Sequence, residues 1–258
     1  YYAFTWLLKP VEAAWAGRRV ILDPGHDGHV GLLNRVKGLM ESSKRRCFTM
    51  LDYSDFNSQH TIEAQQIVVD ELIKHCGLQD HALSKRLVES FSMMDIHHKG
   101  EILGRVGSTL MSGHRGTSFI NSVLNAAYVR VALGRQGYHN IQSLHVGDDV
   151  LVLCDDSTAG WHVIRSIESI GCKLQRSKQS VGELGFEFLR MAGHPLHGAY
   201  GYLARTVASF VSGNWVSDVT MSPLTAVHSL VHQCRSLINR SGFRRAYRIV
   251  LSTASKLT

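Results

Sequence analysis

Three short polar strings, each set against an apolar segment, follow one another in an order that restricts the possible folds. LDYSDFN places Asp52 at the end of the apolar stretch Cys47 to Leu51, and SGHRGTSFINSVLN opens at Ser112 into a segment of helical periodicity. HVGDD then sets Gly147, Asp148 and Asp149 between the apolar runs Ile141 to Val146 and Val150 to Leu153. Gly-Asp-Asp alone is a common turn. A strand ending in an aspartate, a Ser-Gly opening a helix, and a tight acidic hairpin must here occur together, and two neighbouring strands then present carboxylates at one end of a sheet.

The rest of the chain supplies elements to pack around that sheet. Thr5 to Trp15 is predicted as a helix, and Gly17 with the Arg18 and Arg19 pair leads into an apolar stretch and the loop DPGHDGH. After the strand Cys47 to Leu51, apolar residues from Ile62 to Cys76 recur at helical spacing until Gly77. His81 to Met94 is predicted as a further helix. The glycine-interrupted stretch Ile96 to Met111 reads as irregular strands. Thr117 to Leu133 forms a helix whose apolar face includes Ile120, Val123, Leu124 and Ala127. A helix from about Thr158 to Ile170, the KLQRSKQS segment, a GFEFLRM hairpin and three C-terminal helices complete the expectation. No repeat, low-complexity tract or Pro/Ser-rich linker divides the 258 residues.

The three strings resemble motifs A, B and C of a viral RNA-dependent RNA polymerase. The spellings DFNSQHT and SGHRGTSFIN are similar to the polymerases of totivirus-like double-stranded RNA viruses of fungi and protozoa. LLKPVEAAWAGRRVILDPG resembles the segment after the basic fingers motif of that family, and GFEFLRM its motif E. The resemblance implies an α/β (α+β) fold, a right-hand polymerase palm with an antiparallel sheet, plus partial fingers and thumb. It implies fingers at 1–46, palm motif A at 47–60, a fingers insertion at 61–111, palm motifs B to E at 112–190 and a partial thumb at 191–258. A chain that begins at Tyr1 without the Lys/Arg-rich motif F looks partial.

What the resemblance implies for chemistry is templated nucleotidyl transfer assisted by two ions of Mg²⁺ or Mn²⁺. Asp52 and Asp148 are the implied principal metal ligands, with Asp149 secondary. Asn57 stands five residues after Asp52, where related enzymes often carry a second aspartate, and is assigned to sensing the ribose 2′-hydroxyl with Thr117 and Asn121. Asp55 is the alternative at that place. Ser112 and Gly113 match the motif B loop near the template and incoming base. Lys178 matches a motif D lysine able to protonate departing pyrophosphate. The implied partners are RNA template and product, ribonucleoside triphosphates and a viral capsid protein, in a virion in the host cytoplasm, with no membrane.

Composition agrees with this reading without carrying it. A formal net charge of +7 favours a polyanionic partner, while 44% hydrophobic residues support a sizeable core. The five cysteines contain no Cys-x-x-Cys pair, which argues for reduced thiols. No apolar run reaches the roughly 18 residues that a membrane span needs. Arg18, Arg19, Arg35, Lys37, Lys44, Arg45 and Arg46, with Arg244 and Arg245 further on, are candidate channel residues of which none is singled out.

A competing resemblance comes from VILDPGHDGH and SLHV, which look like motifs of zinc-dependent N-acetylmuramoyl-L-alanine amidases, with His26, Glu41 and His145 as ligands. It fails to account for SGHRGTSFIN. Val146 and Gly147 also replace the Asn-Ala expected after its histidine. A non-catalytic RNA-binding module is the third class, and it would leave the ordered carboxylates incidental.

Overall fold

The computed structural model describes residues 1–22, 28–195, 198–212 and 222–241. Helix α1 (Tyr2–Ala14) and helix α2 (Gly28–Ser42) precede strand β1 (Cys47–Leu51), and a 3-10 turn at Phe56–Gln59 leads to α3 (Ile62–His75). The Thr61 hydroxyl accepts from the Ala64 N–H at 3.1 Å and caps the open N-terminus of α3. Next come α4 (Ala82–Glu89), a hairpin of β2 (Asp95–His98) and β3 (Glu101–Arg105), and the long α5 (Thr117–His139). Strands β4 (Gln142–Val146) and β5 (Asp149–Cys154) form the acidic hairpin. Helix α6 (Ser157–Ser169), β6 (Ser180–Gly182), β7 (Phe186–Phe188), β8 (Met191–His194), β9 (Gly198–Gly201), α7 (Leu203–Ser212) and α8 (Pro223–Ser241) follow.

The central sheet is antiparallel, in the order β4-β5-β1-β6. Alternate side chains of β5 serve two separate cores. Val150, Val152 and Cys154 pack with Val129, Val163, Ile164 and Ile167 of α5 and α6. Leu151 and Leu153 point the other way, toward Leu32 and Val36 of α2 and Phe186, Phe188 and Met191 of the β7-β8-β9 sheet. Burial on both faces explains why VLVLC is continuously apolar rather than alternating. Each such side chain contributes about 1.5–3 kcal/mol, which makes this sheet the stiff base on which the acidic residues ride. A third core joins α1, α3, α4 and the first half of α5 around Leu7, Leu8, Val69, Phe91 and Ile120.

The elements differ from expectation in four places. Gly28, Gly31 and Gly38 dilute the helical pattern of 28–42, yet that segment is α2, held by Leu32 and Val36 against the sheet. The helix expected over His81 to Met94 becomes α4 followed by a 3-10 turn at Ser90–Met93. The helix from Thr117 continues past Leu133 to His139 through a break at Gly134 (φ 68°, ψ 170°). The GFEFLRM hairpin gains a third strand, β9. Of the three C-terminal helices expected, two are α7 and α8, and the remainder of the chain, like 23–27 of the DPGHDGH loop, lies outside the described residues.

Candidate active site

Strand register brings the acidic residues together. Leu51 of β1 pairs with Val150 of β5, so the next step along both strands sets Asp52 beside Asp149. The β4-β5 hairpin closes through two residues, Gly147 and Asp148, with Val146 opposite Asp149. Gly147 has φ 62°, the left-handed value that so short a hairpin demands.

Asp52 and Asp149 line an open cleft of about 720 Å³ together with Lys178, Glu187 and Arg190. The Lys178 ammonium lies 3.4 Å from Asp52 Oδ2. The backbone of Asp52 is held from the far side: its carbonyl accepts from Gln179 Nε2 at 2.7 Å and from the Gln175 N–H at 2.9 Å. Asp148, expected as a principal ligand, stands exposed on the turn and is not among the residues that line the cleft, where Asp149 takes that place. Enclosure by the cleft, reinforced by the negative charge of Asp148, Asp52 and Glu187 and opposed by Lys178, pushes the Asp149 carboxyl up to about 6.

That accumulation of negative charge is the test of whether a divalent cation fits. Among the described residues no three His, Cys, Asp or Glu side chains form a ready-made metal cage. The donor set still suits Mg²⁺ or Mn²⁺, because such ions are commonly held by one or two carboxylates completed by substrate phosphates and water. Asp52 and Asp149 line the cleft, Asp148 precedes Asp149 in the turn, and a cation there would relieve the mutual repulsion of these carboxylates.

The residues expected to sense the sugar are partly assembled. Asn121 Nδ2 donates to Asn57 Oδ1 at 2.8 Å, while Asn121 Oδ1 lies 2.9 Å from His60 Nε2. His60 Nδ1 in turn lies 3.0 Å from the Tyr128 hydroxyl. His60 is fully buried, and burial lowers its pKa despite the bond to Asn121. Thr117 departs from the expectation of a three-residue ribose site. Its hydroxyl is directed at the carbonyls of Met111 (3.0 Å) and His114 (2.8 Å), so it closes the Ser112 loop instead of joining the two asparagines. Ser112 and Gly113 are exposed in that loop, and Gly113 takes φ 82° with open space around it. Asp55 lies exposed at the start of the 3-10 turn with φ 46°, and it is not part of the cleft lining.

Several groups escape the sequence reading. Glu187 reaches the cleft from β7, and its N–H lies 3.1 Å from Met50 Sδ of β1, a contact that no local pattern announces. Ser122 and Asn125 lie inside the quoted SFINSVLN string, yet both are fully buried and bonded to the backbone of Gly147, a partner that residue identities do not announce. Arg19, a candidate channel residue, is instead a structural tie: it donates to the carbonyls of Tyr138 (2.7 Å) and Ile141 (2.9 Å) and lies over the Tyr138 ring. Arg45 likewise pairs with Asp155 at 3.1 Å. Arg244 and Arg245 lie outside the described residues.

The zinc alternative loses one of its three ligands, His145, to the fold. His145 is fully buried, its Nε2 lies 2.9 Å from Ser143 Oγ and its Nδ1 3.3 Å from Asn125 Oδ1, so neither ring nitrogen is open to a metal. Burial, with Arg19 nearby, pushes its pKa down to about 3. Glu41 is exposed on α2, and His26 lies outside the described residues.

Comparison with known proteins places this arrangement. The family described as viral RNA-directed RNA-polymerase matches residues 1–215. The chain is 44% identical over 241 residues to the probable RNA-directed RNA polymerase of Leishmania RNA virus 1 - 1 (isolate Leishmania guyanensis), covering 93% of this chain and 27% of that protein. It is 40% identical over 244 residues to the corresponding protein of Helminthosporium victoriae virus-190S, covering 93% and 28%. The chain therefore spans about a quarter of the length of these relatives. Among solved structures, the RNA-dependent RNA polymerase of a human picorbirnavirus superposes with a TM-score of 0.68 at 17% identity, over 95% of this chain and 49% of that one, a likeness of fold. Among the described residues no helix is long and apolar enough to cross a membrane.

Proposed function

The chain belongs to the viral RNA-directed RNA polymerase family, and from that premise we propose that its cleft is the catalytic centre for templated RNA synthesis in a double-stranded RNA virus of totivirus-like kind. The observation that carries the reading is the meeting of Asp52, Asp149, Glu187 and Lys178 at one cleft at the ends of β1 and β5. The substrates are an RNA template with its growing product and ribonucleoside triphosphates. The product's 3′-hydroxyl gives up its proton to water, its oxygen forms a bond to the α-phosphorus, the bond from that phosphorus to the bridging oxygen breaks, and pyrophosphate departs.

Two ions of Mg²⁺ or Mn²⁺, when bound, supply Lewis acidity for the attacking and leaving oxygens. Asp52, Asp148 and Asp149 would hold these ions. Lys178, with its proton on Nζ beside the carboxylates, protonates the pyrophosphate oxygen as it leaves. Asn57 and Asn121, already bonded to each other, offer amide groups to the ribose 2′-hydroxyl, and Ser112 and Gly113 border the template base. Thr117 supports that loop from beneath.

In this reading residues 47–60 and 112–190 form the palm, 1–46 and 61–111 belong to the fingers, and 191–258 to the thumb. The polymerase acts inside a virion in the host cytoplasm, beside a viral capsid protein. The test is labelled ribonucleotide incorporation on an RNA template by the polymerase carrying this segment, with Mg²⁺ or Mn²⁺ present and then chelated. Incorporation that follows the template and stops on chelation is expected. Template-independent labelling, or labelling indifferent to chelation, contradicts the proposal.

A further inference from the structure

Gly147 connects β4 to Asp148, and both of its backbone polar groups are tied to helix α5. Its N–H donates to Ser122 Oγ at 2.7 Å, and the Ser122 hydroxyl donates in turn to the Ser118 carbonyl at 2.7 Å. Its carbonyl accepts from Asn125 Nδ2 at 3.0 Å. With the amide nitrogen of Asn125 spent on Gly147, its Oδ1 accepts from the Tyr53 hydroxyl at 3.3 Å. The same oxygen lies 3.3 Å from His145 Nδ1, so the network places the histidine proton on Nδ1 and leaves Nε2 to accept from Ser143 Oγ.

This arrangement does more than satisfy buried groups. Tyr53 follows Asp52, and Gly147 precedes Asp148, so the single side chain of Asn125 bridges the two loops that carry the carboxylates. Ser122, Asn125 and His145 are fully buried and Tyr53 is 5% exposed, which shields these bonds from competing water. Asp52, Asp149 and Glu187 line one cleft, where their like charges repel one another across the ends of β1 and β5. Fixing both the N–H and the carbonyl of Gly147 holds the peptide planes on either side of it against that force.

We propose that Asn125, assisted by Ser122 and Tyr53, is a positioning residue that sets the spacing of the Asp52 and Asp148–Asp149 carboxylates and thereby the affinity of the cleft for a divalent cation. The inference rests on reading the cleft as a metal site. Groups that orient metal ligands from behind typically alter affinity by about 10–100-fold when lost.

The test uses the 258-residue chain, Mn²⁺ titrated by electron paramagnetic resonance, and hydrogen exchange at the Gly147 amide without metal. Asn125→Leu is expected to weaken Mn²⁺ binding about tenfold or more and to speed Gly147 exchange, with the Leu151 amide unaffected. Tyr53→Phe, which keeps the ring and removes one donor, is expected to weaken binding about fivefold, the effect of roughly 1 kcal/mol from one hydrogen bond. It decides the question if Asn125→Leu does not fold. A role confined to core stability would lower the unfolding midpoint and leave Mn²⁺ affinity of the folded chain unchanged. Unchanged affinity and Gly147 exchange in Tyr53→Phe, and in folded Asn125→Leu, beside weakened binding in Asp52→Asn, would overturn this inference alone. If Asp52→Asn binds Mn²⁺ as the parent does, the metal reading of the cleft falls and takes the inference with it.

Discussion

Lys178 Nζ faces Asp52 Oδ2 at 3.4 Å across the cleft, joining the segment before β6 to the end of β1. Both side chains are substantially exposed, and ion pairs of that kind contribute only about 0–1 kcal/mol to stability. The value of the contact is therefore chemical. Lys178→Ala is expected to lower the maximal rate of nucleotide incorporation about a hundredfold, as loss of a general acid does, with the unfolding midpoint nearly unchanged. Single-turnover incorporation and thermal unfolding of the same preparation check this, and an unaltered rate would remove Lys178 from the reaction.

The bond from Asn121 to Asn57 makes a specific prediction about sugar choice. Sites that hydrogen-bond a substrate hydroxyl reject its absence because their own polar groups are left unpaired. Asn121→Ala removes one such group and releases Asn57, so the preference for ribo- over deoxyribonucleotides should fall about tenfold, with ribonucleotide incorporation the more affected. Asn57→Ala should act in the same direction. Because the two side chains form one unit, the double variant should lose little more than either single one. Additive losses would mean that the asparagines act separately.

The raised Asp149 carboxyl predicts how pH acts on the cleft. An aspartate ordinarily titrates near 3.8, and Asp149 does so near 6, so the folded chain holds a proton that the unfolded chain has released between those values. Its contribution to stability is present below about pH 4 and is lost as pH rises through about 6. Divalent cation binding must displace the same proton, so Mn²⁺ affinity should climb with pH up to about 6 and then level off. Asp149→Asn should flatten both trends. An Mn²⁺ affinity independent of pH between 5 and 7, a window bracketing the value of about 6, would contradict the assignment.

Helix α6 approaches β1 closely at Gly160. A Cβ there would collide with Thr49 Oγ1 and lie 2.7 Å from Val181 Cγ1, closer than packed atoms approach. Gly160→Ala should destabilise the chain by about 1–3 kcal/mol through overpacking, even though alanine is the better helix former by about 1 kcal/mol. Urea unfolding measures this directly. A stabilised variant would show that the helix shifts at no cost.

Where the decisive contacts are local, they are legible in the sequence. Strand β1, helix α3 and the β4-β5 hairpin follow from hydrophobic periodicity and a glycine at a tight turn, and the order of the acidic strings points to Asp52, Asp148 and Asp149 before any contact is known. Helix α2 is obscured by its three glycines, because its stability comes from packing against the sheet rather than from propensity. Glu187 depends on β7 docking against β1, a tertiary event without a local signature. The partner of Ser122 and Asn125 is the backbone of Gly147, and a backbone partner leaves no trace in residue identities. Thr117 shows the reverse case, in which motif spacing suggests a substrate contact and nearby carbonyls of its own loop capture the hydroxyl.

The central claim is that the carboxylates at the ends of β1 and β5 carry out templated RNA synthesis. Primer extension on an RNA template by the polymerase carrying this segment, comparing Asp52→Asn with the parent under Mg²⁺ and under Mn²⁺, tests it most directly. The variant keeps the side-chain shape and removes one charge, so the fold should persist while extension falls by about a thousandfold or more, the scale of a lost electrostatic contribution at the reacting centre. Extension within a few fold of the parent under either ion would contradict the account.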